Sequence, residues 1–250
     1  MSSSHSITVK SLSVSYATKR VLTNIHLDIA PGNVYGVIGP NGAGKSTLFK
    51  SILGLIEYNT GDIKVLDRPI EDVRKQVAYV PQRDEVDWDF PATVLDIVLM
   101  GRYPHKKLLQ RLSKKDKTIA LESLEKMGIL DLKNRQIGAL SGGQQQRVFI
   151  ARALCQEATV MFLDEPFVGV DMTTEEKIIQ ILKKEAADGK TLLVVHHDLA
   201  TVDQYFDKVI LLNQRLIAVG DTEDIFTKEN MAKTYGPQLT ILHKTGMINN

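Results

Sequence analysis

The stretch VYGVIGPNGAGKSTLFKSIL, Val34 to Leu53, decides the fold. Its first five residues are apolar and show no alternation, the pattern of a strand buried on both faces of a parallel sheet. TLFKSIL reads as a helix. Between them stand Gly39, Pro40, Asn41, Gly42, Ala43, Gly44, Lys45, Ser46 and Thr47, which satisfy G-x-x-x-x-G-K-[ST] at every fixed position. A loop between such a strand and helix turns successive backbone N–H groups inward and wraps a triphosphate, and glycines leave room for the approach. Lys45 supplies a point charge to the β- and γ-phosphates, and Ser46 offers a hydroxyl to Mg²⁺.

Three further apolar runs, KQVAYV, TVMFLD and TLLVVH, share the unalternating pattern and are separated by helical stretches. With VYGVIG they read as buried parallel strands of an α/β core. Two half-alternating strands precede them, near 7–15 and 20–29, and KVILLN, RLIAVG and a terminal helix or two follow. Between about 92 and 155 the pattern is almost wholly helical, an insert within the core.

The run VMFLDEP ends in two acids, Asp164 and Glu165. A buried strand that ends so presents carboxylates at the carboxyl edge of the sheet, where ligands sit in open α/β folds. Asp164 suits the Mg²⁺ of a nucleotide, and Glu165 suits a general base or a group that orients water. His196 and His197 follow TLLVV. One of the pair reads as structural and the other as a hydrogen-bond donor to a γ-phosphate. Shared metal binding is disfavoured because adjacent strand residues face opposite ways. Gln82 follows QVAYVP, with an amide suited to sensing metal and water, although by spacing alone it is a loop residue.

LSGGQQQRVFIARAL, Leu140 to Leu154, places two glycines just inside a helix, each at a cost of roughly 1 kcal/mol against alanine. Ser141 and Gln144 have capping-box spacing, so Gly142 and Gly143 fall in a first turn with free N–H groups and no side-chain bulk. That describes an anion site. A plain capped helix with glycines for tight packing is the other reading.

Basic residues (31) nearly balance acidic ones (30), so no broad basic face for nucleic acid is implied. The single cysteine, Cys155, lies in an apolar run and reads as a buried structural thiol, in keeping with a reducing compartment. No apolar run approaches a bilayer span, and MSSSHS lacks the parts of a signal peptide. A cytoplasmic chain that docks on another to work at a membrane is expected.

Together GPNGAGKST, Gln82 after a strand, LSGGQ, FLDEP and a histidine after a strand resemble, in order and separation, the ATP-binding subunits of ABC transporters over residues 6–235. LSGGQ twenty residues before Asp164 is the discriminating feature. The resemblance implies a P-loop NTPase, α/β with a RecA-like parallel core, an N-terminal antiparallel β subdomain and the inserted helical subdomain, followed by a tail at 236–250. It implies ATP and Mg²⁺ as ligands, with Glu165, His197, Gln82 and Lys45 catalytic. Tyr16 would stack on adenine, and Asp171 would make a contact across a dimer. Ser141, Gly142, Gly143 and Gln144 would cap the γ-phosphate held by a second copy, in a head-to-tail dimer closed over two ATP molecules. The implied partners are integral membrane permease subunits and an extracytoplasmic substrate-binding protein, which places the chain peripherally on the cytoplasmic face of the membrane.

FVGVD, where many relatives have a Ser-Ala-Leu-Asp-like sequence, resembles the transition-metal importer branch, as does DEVDWDFPATVLDIVLMGRY, Asp84 to Tyr103. The expected cargo is manganese, with zinc, iron or chelated iron as alternatives. An exporter subunit is the same enzyme with a different partner, and a soluble ABC protein acting on DNA or ribosomes, with no transport role, is the other class. Trp88 and Phe90 either anchor a permease, as aromatic residues at interfaces do, or pack the helical insert.

Overall fold

The computed structural model describes residues 5–107 and 109–236, so the tail lies beyond Gly236 outside the described residues. The chain opens with strands β1 (Ile7–Tyr16), β2 (Lys19–Ile29) and β3 (Val34–Ile38), then helix α1 (Lys45–Ile52) and strand β4 (Thr60–Val65). Next come α2 (Ile70–Val73), β5 (Val77–Val80), α3 (Val94–Leu99), α4 (Lys114–Lys126), α5 (Gly142–Cys155), β6 (Val160–Leu163) and α6 (Met172–Ala187). The final stretch holds β7 (Thr191–Val195), α7 (Val202–Tyr205), β8 (Lys208–Asn213), β9 (Arg215–Asp221), α8 (Thr222–Ile225) and α9 (Lys228–Tyr235).

The chain divides into two compact units, one formed by Met1–Val73 with Ala186–Asn250 and the other by Arg74–Glu185. The second is broader than the helical stretch 92–155 because it also takes in β5 and β6.

In the first unit, β1 pairs antiparallel with β2 on one side and β4 on the other. Its residues Ile7, Val9, Leu12 and Val14 are buried, an alternation shifted by one residue at the irregularity between Val9 and Leu12, as expected of a strand with one covered face. β4 is a strand the hydrophobic pattern does not announce. Only Val65 of TGDIKV is buried, because an edge strand held by backbone pairing needs little apolar content. The unit's second sheet centres on β3, parallel to both β7 and β8, with β9 antiparallel to β8. All five residues of β3 and of β7 are buried, as their unalternating sequences require. Gly36 in β3 makes room for the Phe206 ring, which a Cβ would meet at 2.6 Å.

In the second unit β5 and β6 are parallel, and α3, α4 and α5 pack on one another. Each of these three helices begins with a reciprocal capping box: Thr93 with Asp96, Ser113 with Asp116, and Ser141 with Gln144. Two orphan first-turn donors are thereby satisfied at each start. Trp88 packs edge-on against Phe149 of α5, with ring centroids 5.0 Å apart, and its indole N–H donates to the Arg83 carbonyl at 2.9 Å. Trp88 therefore packs the helical insert, whereas Phe90 is 51% exposed. Cys155 is buried, and burial pushes its thiol up to about 12, so it is an inert core group.

The carboxyl end of α5 is tied down by Arg102. Its guanidinium donates to the Cys155 carbonyl (2.6 Å), to Glu157 (2.7 Å) and to Asp116 (3.2 Å). Asp116 is almost fully buried, and hydrogen bonds from Lys106 and Ser113 hold its carboxyl far below the usual range. Removing one partner of a buried ion pair strands the other. Arg102→Met is expected to lower unfolding free energy by roughly 3 kcal/mol, read from urea unfolding; a change within about 0.5 kcal/mol, the ordinary surface range, would show that Lys106 alone carries Asp116.

Candidate functional site

The phosphate loop lies between β3 and α1, as its sequence requires. Its path is fixed by close approaches that only glycine allows. A Cβ at Gly39 would stand 2.0 Å from the Leu212 carbonyl of β8. Gly44, the N-cap of α1, has φ +96°, and a Cβ there would meet Leu22 at 2.5 Å. Gln214, in the β8–β9 turn, donates its backbone N–H to the Ala43 carbonyl (2.8 Å) and accepts from Thr23 N–H (2.8 Å). Gln214 is a site residue that sequence reasoning missed, because a backbone bond leaves no mark on side-chain identity.

Lys45 is buried, and its Nζ donates to the carbonyls of Gly39 (2.8 Å) and Pro40 (3.1 Å). Ser46 and Thr47 are half-buried beside it. The first turn of α1 carries no acid and no side-chain cap, so its N–H groups and dipole face an anion unopposed. A glycine-lined loop, a buried cation and a hydroxyl form a donor set that fits a Mg²⁺-bound triphosphate. Tyr16 is 49% exposed at the end of β1, in the sheet whose Leu22 underlies Gly44, with its ring available for stacking.

The two histidines separate as sequence reasoning allowed. His196 is buried, edge-on to Phe206 at 5.3 Å and tilted against Tyr205 at 5.7 Å, with Nε2 at 2.8 Å from the Thr201 hydroxyl. Burial lowers its pKa to about 4, so it is a neutral core group. His197 is exposed just past β7.

In the second unit, Asp164 is fully buried immediately after β6, its N–H donating to the Val80 carbonyl of β5. Glu165 follows with φ +51°, a left-handed conformation that costs a non-glycine residue about 1 kcal/mol. The turn carries the Glu165 carboxylate to Gln82, whose Nε2 donates to Oε2 at 3.0 Å. Sequence reasoning named both residues but not this bond.

Both glycines of SGGQ are accounted for by packing. A Cβ at Gly142 would press on the Arg83 guanidinium at 3.1 Å, and one at Gly143 would stand 2.7 Å from the Gly169 carbonyl. Arg83 donates to the side-chain oxygen of Gln145, at 3.2 Å from its closer nitrogen, and thereby joins the segment after Gln82 to the first turns of α5. Gln145 is buried and donates in turn to the Ile137 carbonyl (3.2 Å). Arg83 and Gln145 also escaped sequence reasoning; the run of three glutamines leading into an apolar helix face is the signal that could have found Gln145. Ser141 is exposed and caps α5, and Gly142, Gly143 and Gln144 behind it are half-buried. In FVGVD, Gly169 adopts φ +76°, Val168 is 49% exposed, and Asp171 accepts from Thr174 N–H at 3.0 Å; hydrogen bonds from the Thr174 side chain and then its N–H lower the Asp171 pKa. Among the described residues no helix is long and apolar enough to cross a membrane.

His196 yields a pH dependence. Its folded pKa lies below the unfolded value, so the unfolded chain binds the extra proton first. The stability it confers is complete above about pH 6.5 and is lost as pH falls toward about 4, by roughly 3 kcal/mol over that window. His196→Gln is expected to flatten unfolding free energy between pH 7 and 5; an unaltered slope would assign the acid lability to other groups.

Comparison with known proteins bears out the family. The family model described as ABC transporter matches residues 22–168. A manganese transport system ATP-binding protein of Halalkalibacterium halodurans is 53% identical over 95% of both chains. A zinc transport system ATP-binding protein of Treponema pallidum is 50% identical over 94% of this chain and 89% of its own. Among solved structures, a chain from an inward-facing transporter assigned to the metal-chelate type superposes with a TM-score of 0.80 at 29% identity, covering 92% of this chain and 89% of that one. The chain therefore belongs to the ABC transporter family and is one of its ATP-binding, ATP-hydrolysing subunits.

Proposed function

We propose that this chain hydrolyses Mg²⁺-bound ATP to drive manganese uptake through a separate membrane permease. The observation that carries the cargo is the 53% identity, across 95% of both chains, to a protein named for manganese transport. The relative named for zinc, at 50% identity, supports zinc as the second reading. This subunit's chemistry acts on ATP in either case.

In this reading Tyr16 stacks on adenine, and the loop from Gly39 to Thr47 with Lys45 holds the phosphates. Ser46, Asp164 and Gln82 are the groups toward Mg²⁺, whose contribution is to draw charge from the β- and γ-phosphate oxygens. Glu165 takes a proton from the attacking water, and Gln82, bonded to it at 3.0 Å, holds that carboxylate in position. His197 donates to the γ-phosphate. The protein forms no covalent bond: it positions water and stabilises the spread charge of the transferred phosphoryl group.

The first turn of α5, with the exposed Ser141 and with Gly142, Gly143 and Gln144, serves the nucleotide held by a second copy, and Asp171 lies at the contact between copies. The dimer closes head to tail on ATP and reopens after phosphate release. Permease subunits receive the segment Asp84–Tyr103, where the exposed Phe90 suits an interface. An extracytoplasmic binding protein delivers the metal, and the ATPase sits peripherally on the cytoplasmic face.

Glu165→Gln is expected to bind ATP normally and to hydrolyse it roughly 10²–10⁴-fold more slowly, the usual size of a general-base effect. In cells lacking the gene and grown with limiting metal, elemental analysis should find manganese depleted, restored by the intact gene and not by Glu165→Gln. Depletion of zinc instead would transfer the cargo; near-normal turnover by the variant would take Glu165 out of the base role. Ser141→Arg, made in the Glu165→Gln background, is expected to leave ATP binding intact and block ATP-dependent dimer closure in solution scattering. Intact closure would remove α5 from the shared site.

A further inference from the structure

The chain as a whole is nearly neutral, but its charge is unevenly placed. Between Tyr103 and Leu121 stand six basic residues and one acid, leaving 25 basic against 29 acidic residues elsewhere. The lone acid, Asp116, is already used: it is buried under Arg102 and Lys106 and caps α4. Lys107, Arg111, Lys114, Lys115 and Lys117 are all exposed, and none makes an ion pair among the described residues. Two apolar side chains stand among these cations. Tyr103 is 57% exposed, and Leu109 is 94% exposed with φ +65°, a strained conformation for leucine. The Arg102 and Lys106 bonds to Asp116 anchor this segment against α4.

We propose that this face docks on the anionic phospholipid headgroups of the membrane that holds the permease. The inference rests on the reading that the chain works at a membrane surface. Charge complementarity selects the occupant: the cytoplasmic leaflet is negative, and each lysine or arginine brought to it raises binding by a factor of roughly five. Composition separates lipid from protein. Lysine is depleted at protein interfaces and arginine enriched there, whereas four of the five exposed cations are lysines, point charges that need no fixed geometry from a fluid headgroup layer. Leu109 supplies the shallow apolar insertion that accompanies such patches, next to the permease segment that ends at Tyr103. The docked face would steady the ATPase at the bilayer beside its permease contact.

The test uses the purified full chain and phosphatidylcholine vesicles with or without phosphatidylglycerol, with no permease present. Co-sedimentation should favour the anionic vesicles at least tenfold, and added salt should weaken it. The fourfold variant Lys107→Glu, Arg111→Glu, Lys114→Glu, Lys115→Glu should lose at least tenfold of that binding while hydrolysing ATP in solution as the parent does. Lys107→Arg with Lys114→Arg and Lys115→Arg should bind as the parent does, since charge alone is required. Equal partition into neutral and anionic vesicles, or unchanged binding by the charge-reversed protein, would overturn the proposal. So would a charge-reversed protein that binds vesicles normally but no longer associates with detergent-solubilised permease, which would assign the face to a protein partner. Metal accumulation in cells plays no part in this assay, so failure of the transport reading and failure of the lipid reading are told apart.

Discussion

The contact on which the rest depends is the approach of Gly39 to the Leu212 carbonyl, where a Cβ would come within 2.0 Å. It presses the start of the phosphate loop against β8. Because β3 and β8 are parallel neighbours, the loop leaves the carboxyl edge of the sheet, where α/β folds collect ligands. The Gln214 backbone then holds the loop at Ala43 and reaches β2 at Thr23. A triphosphate cradle needs amides that already point inward, and this unit fixes them with main-chain geometry before any side chain takes part.

The second unit solves a different problem, that of holding an acid, an amide and a helix start in register. Gln82 bonds Glu165, and Arg83, the next residue, bonds Gln145 in the first turns of α5. Adjacent residues of one segment therefore touch the proposed base and the SGGQ helix. The glycines of that helix make room for Arg83 and for the Gly169 carbonyl. Tight packing, one of the two readings of these glycines, is met at both positions, and the anion reading rests on the shared site proposed above.

What was legible in the sequence followed pattern strength. The unalternating runs at Val34–Ile38 and Thr191–Val195 became fully buried strands, and the Ser141–Gln144 spacing became a capping box. β4 was not legible because its pairing is carried by backbone groups that every residue shares. The same reason hid Gln214. Trp88 was ambiguous because aromatic character suits a core and an interface equally; only its contact with Phe149 and the Arg83 carbonyl decides the matter. His196 and His197 could be read as one structural residue and one donor to a γ-phosphate, but which was the buried one depended on Tyr205 and Phe206, distant enough in the chain to leave no local pattern.

The left-handed backbone at Glu165 has an evolutionary consequence. That conformation is nearly free for glycine and costly for glutamate, so stability alone would drift the position toward glycine or asparagine. Under the proposed role of Glu165 as base, demand for the reaction is what holds a carboxylate there against that drift. On that role, a paralogue that had given up hydrolysis while keeping this fold would show the loss first at this residue, where relief of the backbone strain is set against loss of the Gln82 hydrogen bond.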